Sequence, residues 1–155
     1  MGKHLVGVLS DTHGLVRPAL ARALAGCDLI VHAGDVGKVA VLEALRKVAP
    51  VVAVRGNMDF GPWAQALHLT EVVTVGDALL YVLHDLEKLD LDPAAAGLNA
   101  VISGHTHLPA IGWRKGILFI NPGSAGPSRH GLPASVVLLQ VEGKALTTRL
   151  VIIPT

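Results

Sequence analysis

Three short apolar segments in the first 54 residues constrain the fold of this chain more than any other feature. They are rich in branched side chains, which suits buried strands, and they cover His4–Leu9, Leu29–His32 and Val51–Val54. Two segments with helix signals separate them, Pro18–Ala25 and Val39–Val48. This order of strands and helices predicts parallel strands joined by helical crossovers. In such a sheet the ligand site lies beyond the carboxyl ends of the strands.

The second half of the chain differs, because its apolar segments are paired around short turns. Turns at Gly76-Asp77, Lys115-Gly116 and Glu142-Gly143-Lys144 predict three hairpins. The predicted strands of this half are Glu71–Val75, Leu79–His84, Val101–Ser103, Ile111–Arg114, Ile117–Ile120, Ser135–Val141 and Ala145–Ile153. A short helix is predicted over Asp92–Ala96. We expect a single domain over residues 1–155, with two sheets packed on each other and helices outside.

Composition excludes several classes of protein. Apolar residues make up 51% of the 155 residues and charged residues 16%, which supplies a core and argues against disorder. The formal net charge of +1 provides no basic excess for binding an extended nucleic acid. The apolar segments are too short for a membrane span, and the N-terminus does not resemble a signal peptide. A lone cysteine, Cys27, excludes an internal disulfide, so we expect a soluble, cytoplasmic protein.

Side chains that bind metals accumulate where the predicted strands end. They comprise two carboxylates, four imidazoles and one amide: Asp11, His13, Asp35, Asn57, His84, His105 and His107. Oxygen and imidazole ligands together suit first-row divalent metals such as Mn, Fe, Co, Ni or Zn, and the set lacks the thiolates of closed structural zinc sites. Seven ligands fit two ions if one carboxylate bridges them. A centre with two ions is suited to the hydrolysis of phosphate esters.

The order and surroundings of these residues resemble a known superfamily. The segments are Ser10-Asp11-Thr12-His13-Gly14, His32-x-Gly34-Asp35, Val54-Arg55-Gly56-Asn57, His84, Ser103-Gly104-His105-Thr106-His107 and Asn121-Pro122-Gly123-Ser124. The pattern resembles the calcineurin-like metallophosphoesterases and, within them, the compact bacterial and archaeal phosphodiesterases. The retromer scaffold subunit resembles the same branch. The resemblance implies an α/β fold, a four-layer αββα sandwich in which helices flank two central mixed β-sheets.

The resemblance also implies roles for individual residues. One metal would be held by Asp11, His13, Asp35 and His107, and the other by Asp35, Asn57, His84 and His105, with Asp35 as the bridge. A metal-bound hydroxide would be the nucleophile, and the catalytic set would be Asp35, Asn57, His105 and His107. We expect two divalent ions, manganese first, with nickel, iron, cobalt and zinc as alternatives. We expect a small phosphodiester or nucleotide-like substrate, and the resemblance allows a homodimer or tetramer.

Two positions depart from the family pattern. Larger members carry a histidine directly after the metal-binding asparagine, where it can protonate the leaving group, and this chain has Met58. The general acid is therefore unassigned, and activated or acidic leaving groups should be favoured. The family usually has glycine after the histidine at position 84, and this chain has Asp85, which either orients an imidazole or crowds the pocket.

Other residues carry weaker signals. Arg55, Gly123 and Ser124 are candidate phosphate contacts, the arginine because a guanidinium fits phosphate oxygens. His32 suits a supporting or core position better than a ligand position, and Asp59 either orients a neighbour or caps a turn. A different hypothesis for the whole chain is a non-catalytic protein-interaction scaffold on the same fold, because a fold does not determine a function.

Overall fold

Two five-stranded sheets form the centre of the molecule, which the computed structural model describes over residues 2–154. Their strands, in chain order, are β1 Lys3–Leu9, β2 Leu29–His32, β3 Val51–Ala53, β4 Thr70–Val75, β5 Ala78–Leu83, β6 Ala100–Ile102, β7 Ala110–Arg114, β8 Ile117–Asn121, β9 Ser135–Glu142 and β10 Ala145–Ile152. The helices of the described residues are α1 Leu20–Ala23, α2 Val39–Arg46, α3 Pro62–Gln65 and the 3₁₀ turn Leu86–Lys88. None of these helices has the length and apolar character needed to cross a bilayer.

The first sheet has the strand order β10-β9-β1-β2-β3. Strands β1, β2 and β3 are parallel, as predicted, and β9 runs antiparallel to both β1 and β10. Leu9 pairs with His32, and His32 pairs with Ala53, so the carboxyl ends of the three parallel strands lie side by side. The residues that follow these strands therefore meet at one edge of the sheet.

The second sheet has the strand order β4-β5-β6-β8-β7. Strands β5, β6 and β8 are parallel, and the edge strands β4 and β7 are antiparallel to their neighbours. Ile102 pairs with Val82 on one side and with Ile120 on the other, which aligns three further carboxyl ends. All three predicted hairpins are present, as β4-β5, β7-β8 and β9-β10.

Apolar side chains fill the space between the sheets. Val8 of the first sheet lies in the same buried cluster as Leu80 and Ile102 of the second sheet, and all three are fully buried. Since successive strand residues point to opposite faces, Leu9 lies in a separate cluster on the outer face, together with Leu42 of α2. The first sheet is therefore covered by apolar side chains on both faces, as expected for parallel strands.

The outer face of the second sheet is covered by a loop with one 3₁₀ turn. Leu86 and Leu91 from this segment pack against Tyr81 and Val101 of the sheet. The helix predicted over Asp92–Ala96 is wrong: this segment is an isolated hydrogen-bonded turn. Only one helical hydrogen bond forms, from the Ala96 N–H to the Asp92 carbonyl, because the residue that follows is a glycine with a positive φ of 75°. The predicted α/β sandwich with two mixed sheets is confirmed. The layer outside the second sheet contains only one 3₁₀ turn.

Removing the side chain of a residue between the sheets should destabilise the protein. We expect Ile102→Ala to lower the free energy of unfolding by about 2–5 kcal/mol, because the cavity cannot fully collapse between two sheets. Urea denaturation measures this change. The control is Val72→Thr on edge strand β4, where the side chain is 56% exposed, and it should change the value by less than about 0.5 kcal/mol. Equal effects of the two substitutions would contradict the assigned core.

Candidate metal centre

All seven predicted ligands lie at or just beyond the carboxyl ends of parallel strands. Asp11 and His13 follow β1, Asp35 follows β2, Asn57 follows β3, His84 follows β5, and His105 and His107 follow β6. Both sheets therefore contribute to one site at the edge where their parallel strands end. Each contributing segment stops at a polar cluster because the apolar, branched residues that favour a strand give way to glycine and polar residues.

The backbone at this site adopts conformations that are uncommon for residues with side chains. Five of the seven predicted ligands have a positive φ: Asp11 at 58°, His13 at 47°, Asp35 at 55°, His105 at 75° and His107 at 64°. Such conformations cost on the order of 1–3 kcal/mol each and persist only where the surrounding structure enforces them. Within residues 2–154, only Lys115 and His130 share this property among the other non-glycine residues. Backbone strain is thus concentrated at the candidate site.

Two glycines allow the loops to approach one another. A Cβ atom at Gly104 would collide with Ser10 Oγ and lie 2.7 Å from Asp11 Oδ2, and a Cβ atom at Gly56 would collide with the Asp35 carboxylate. Any side chain at either position would displace a carboxylate. The glycines of the sequence motifs are therefore required by close contact between the loops of β1 and β6 and between those of β2 and β3.

Imidazole nitrogens and carboxylate oxygens converge in the buried part of the site. Asp11 Oδ1 lies 3.4 Å from His107 Nε2, 3.6 Å from His13 Nε2 and 3.9 Å from His84 Nε2. Asp35 Oδ2 lies 3.2 Å from His84 Nε2 and 3.7 Å from His13 Nε2. The donor atoms form two groups, and within each group all atoms lie within 4.8 Å of one another. One group is formed by Asp11, His13 and His107, and the other by Asp11, Asp35 and His84. Asp11 is common to both groups, and Asp35 Oδ2 lies between histidines of the two groups.

The remaining two predicted ligands lie farther out. Asn57 and His105 are exposed, and together with His84 they line a cavity of about 470 Å³ that opens beside the buried donor atoms. The His105 ring packs edge-on against the His84 ring, with 5.1 Å between centroids. The structure thus brings five predicted ligands into close contact and places the other two on the wall of the adjoining cavity.

Each carboxylate is held by one oxygen and directs the other into the centre. Asp11 Oδ2 accepts hydrogen bonds from Ser10 Oγ at 2.7 Å and from the His105 N–H at 3.0 Å. Asp11 Oδ1 is buried and has no hydrogen-bond partner in the described residues. Asp35 Oδ1 accepts from the Met58 N–H at 2.8 Å, so its Oδ2 is the atom that faces the imidazoles. A buried anionic oxygen without a partner is costly, and a bound cation would satisfy it.

The orientation of His84 also indicates a place for a bound cation. Its Nδ1 donates to the carbonyl oxygen of Ala33 at 2.8 Å, so the lone pair of its buried Nε2 faces the oxygens of Asp11 and Asp35. Burial lowers the pKa of His84, but the two carboxylates and the Ala33 carbonyl outweigh this effect, and the net pKa is raised. Either a proton or a metal ion relieves the repulsion between the lone pair and the oxygens. The side chains present therefore fit divalent metal ions.

His32 supports the loops and lies outside the ligand set. Its Nδ1 accepts from the Gly34 N–H at 3.1 Å, and its Nε2 lies 2.9 Å from Thr12 Oγ1. Because the Thr12 hydroxyl donates to the carbonyl of Val36, Nε2–H of His32 is the donor to Thr12. Complete burial, followed by repulsion from His84, lowers the pKa of His32 to about 3, so the ring is neutral. This network connects the loop after β1 to the loop after β2.

Asp59 connects a second pair of loops, which the sequence did not predict. Its carboxylate accepts from the N–H groups of Gly56 at 2.9 Å, Gly37 at 2.9 Å and Val36 at 3.2 Å. The contact with Gly56 is the predicted turn cap, and the other two join the loops after β2 and β3. No motif in the sequence indicates this second role, because it depends on the spatial proximity of two loops.

The candidate phosphate contacts divide into two groups. Arg55 lines the 470 Å³ cavity together with Asn57 and His84. The Gly123 N–H instead donates to Asn121 Oδ1, and Ser124 Oγ donates to the carbonyl oxygens of Asp11 and Pro127. These contacts favour a role in loop geometry for Gly123 and Ser124, and they leave Arg55 as the predicted phosphate contact that faces the site.

The Asp85 carboxylate contacts both the 3₁₀ turn and the His105 ring. Its Oδ1 accepts from the Glu87 N–H and caps the 3₁₀ turn, and its Oδ2 lies 3.9 Å from His105 Nε2. The side chain is therefore positioned to orient His105, which was one of the two alternatives for this position.

Several known proteins are similar to this chain in sequence or in fold. Residues 5–144 match the calcineurin-like phosphoesterase superfamily domain. A protein of Methanocaldococcus jannaschii named as a probable metallophosphoesterase is 38% identical over 92% of this chain and 79% of its own length. The phosphodiesterase YfcE of Escherichia coli is 31% identical over 84% of each chain. The crystal structure of Vps29 from Chaetomium thermophilum has a similar fold, with a TM-score of 0.79 and 21% identity over 97% of this chain and all of that one.

The buried neutral His32 should make the protein sensitive to acid. An unfolded histidine binds a proton below about pH 6.5, whereas folded His32 does so only near pH 3. The folded state therefore binds fewer protons in this interval, and the free energy of unfolding falls as the pH decreases through it. We expect His32→Asn in chelated protein to be less stable than wild type at pH 7, with a difference that shrinks toward pH 4.5.

Urea denaturation across this pH range measures the difference. The matched control is His68→Asn, since His68 is exposed, and it should change the free energy of unfolding by at most about 1 kcal/mol, the upper value for a surface ion pair. A constant difference between His32→Asn and wild type over the whole range would show that His32 is not buried in its neutral form.

Proposed function

Because the chain belongs to the calcineurin-like phosphoesterase superfamily, we propose that it hydrolyses small phosphodiesters at a dinuclear centre of divalent metal ions. The observation that carries this proposal is the convergence of unpaired carboxylate and imidazole atoms in one buried centre. A relative of 31% identity named as a phosphodiesterase favours diesters over monoesters as substrates.

The two donor groups suggest which residues would hold each ion. Asp11, His13 and His107 would hold one ion. His84 would hold the other together with Asn57 and His105, and Asp35 would contribute Oδ2 to both. When bound, two ions of this kind neutralise the charge of a phosphate and lower the pKa of a water molecule toward neutrality. We propose manganese as the preferred ion, with nickel, iron, cobalt and zinc as alternatives.

The cavity beside the buried donor atoms is lined by two cations, Arg55 and Lys88, and by two carboxylates, Asp85 and Asp90. The Arg55 guanidinium can form paired hydrogen bonds with phosphate oxygens. Two divalent ions would add four positive charges to the two carboxylates of the metal centre, which also favours an anionic substrate. The net charge of +1 provides no basic surface for an extended nucleic acid, so the substrate we propose is a small diester.

Protonation of the leaving group does not come from the residue after Asn57. Met58 has no side-chain proton to donate, and its contribution is the backbone N–H that holds Asp35. Activated or acidic leaving groups, which depart without protonation, are therefore the substrates we expect to react fastest.

The same fold occurs in Vps29, so the fold alone does not separate an enzyme from a non-catalytic interaction scaffold. In this chain all seven predicted ligand positions carry metal-binding side chains. The complete set of ligands, together with relatives named as phosphoesterases, leads us to favour the enzyme.

Hydrolysis of a chromogenic diester tests the proposal. Chelated protein, supplied with Mn, Ni, Co, Zn or Mg one at a time, should hydrolyse bis(4-nitrophenyl) phosphate faster than 4-nitrophenyl phosphate, and Mn should be among the activating ions. Faster hydrolysis of the monoester would contradict the preference for diesters. Protein that binds two ions but hydrolyses neither compound would favour the scaffold.

Replacing Asp35 should affect both metal positions. We expect Asp35→Ala to lose both ions, measured by elemental analysis after dialysis, and to lower kcat/KM for the diester by about 10³ or more, because its Oδ2 faces both groups of ligands. Asp77→Ala in the exposed turn between β4 and β5 is the control and should retain both properties. Retention of full turnover by Asp35→Ala would rule out a bridging role.

A further inference from the structure

A second cavity adjoins the metal centre on the outer face of the second sheet. It has a volume of about 770 Å³ and lies between the segment 85–87, the loop after β6 and the hairpin β7-β8. We call it the outer groove. Asp85 and His105 line both the outer groove and the cavity that contains Arg55, so the two cavities meet at this pair of side chains.

Part of the outer groove is open because one position of β7 lacks a side chain. Gly112 of β7 is the antiparallel partner of Phe119 of β8, so the two positions share one face of the sheet. A Cβ atom at Gly112 would have no other heavy atom within 4 Å. The Phe119 ring therefore has no side chain directly across from it. Arg114, two residues along the same face, places its guanidinium 4.7 Å from the centre of this ring.

The charges of the outer groove differ from those of the neighbouring cavity. Two carboxylates, Asp85 and Glu87, line the groove together with one guanidinium, that of Arg114. The cavity on the other side of His105 has two cations, Arg55 and Lys88, which balance its two carboxylates. A phosphate is therefore repelled less in that cavity than in the groove, whose excess of carboxylates suits an uncharged group with N–H donors. Its aromatic ring and guanidinium plane favour a flat group that stacks.

We propose that the outer groove binds the nucleobase of a nucleotide-like phosphodiester whose phosphate lies at the metal centre, and that Gly112 determines this specificity. This inference rests on the proposed function and names the substrate class of the same site. The base would stack beside Phe119 and Arg114, and its N–H groups would donate to the carboxylates of Asp85 or Glu87. A ring of this size requires the space left by the missing side chain of Gly112.

Filling the groove tests the proposal without removing any residue of the metal centre. Gly112→Val adds a side chain where the structure has open space, and a β-branched residue suits an edge strand. Two substrates with the same leaving group are compared, thymidine 5′-(4-nitrophenyl) phosphate and methyl 4-nitrophenyl phosphate. We expect Gly112→Val to lower kcat/KM about tenfold or more for the thymidine ester and less than twofold for the methyl ester.

The control is Trp113→Val, since Trp113 lies on the opposite face of the same strand and does not line the groove. It should leave the ratio of the two kcat/KM values unchanged. If Gly112→Val also leaves this ratio unchanged while both esters are hydrolysed, the groove proposal is overturned and the proposed function stands.

If neither ester is hydrolysed, the proposed function fails, and binding then decides the groove proposal. Isothermal titration calorimetry compares thymidine 5′-monophosphate with inorganic phosphate in Mn-loaded protein. Tighter binding of the nucleotide that Gly112→Val abolishes would support the groove. Binding of the nucleotide no tighter than that of phosphate would overturn it.

Discussion

Two carboxylates are buried where the parallel strands of the two sheets end, and the arrangement of the surrounding loops depends on them. Asp11 is completely buried and Asp35 is 3% exposed, and burial of an unpaired charge costs several kcal/mol. Each carboxylate has one oxygen that accepts a backbone N–H from a neighbouring loop, while the other oxygen faces imidazoles. The strained loops, the glycine contacts and the His84 orientation all serve to hold these two oxygens where a cation can reach both.

Burial of the two carboxylates also explains why other residues hold the loops of the centre together. His32 and Asp59 touch no predicted ligand side chain, yet they join the loop after β2 to the loops after β1 and β3. Left-handed conformations at Asp11 and Asp35 persist only if the neighbouring loops are held in place. The cost of the site is offset by the apolar cores on both faces of the first sheet, which consist of side chains that take no part in the chemistry.

Much of the fold and of the candidate site could be predicted from the sequence, because both depend on local patterns. Apolar branched segments identified the strands, as Leu29–His32 shows, and polar clusters after them marked the site. The outer groove could not be predicted, since it depends on how the segment 85–87 and the loop after β6 lie beside the hairpin β7-β8, which no local pattern indicates. The link from Asp59 to the loop after β2 escaped prediction for the same reason. The segment 92–96 has helix-forming alanines, but the glycine that follows ends it after one helical hydrogen bond.

We propose that Asp11 and Asp35 hold two divalent ions between them. A crystal structure of Mn-soaked protein, with anomalous data collected at the manganese absorption edge, tests this arrangement. Two anomalous peaks about 3.5–4 Å apart are expected, one beside His13 and His107 and the other beside His84, with an Asp35 oxygen between them. A single peak, or peaks away from the two carboxylates, would contradict it.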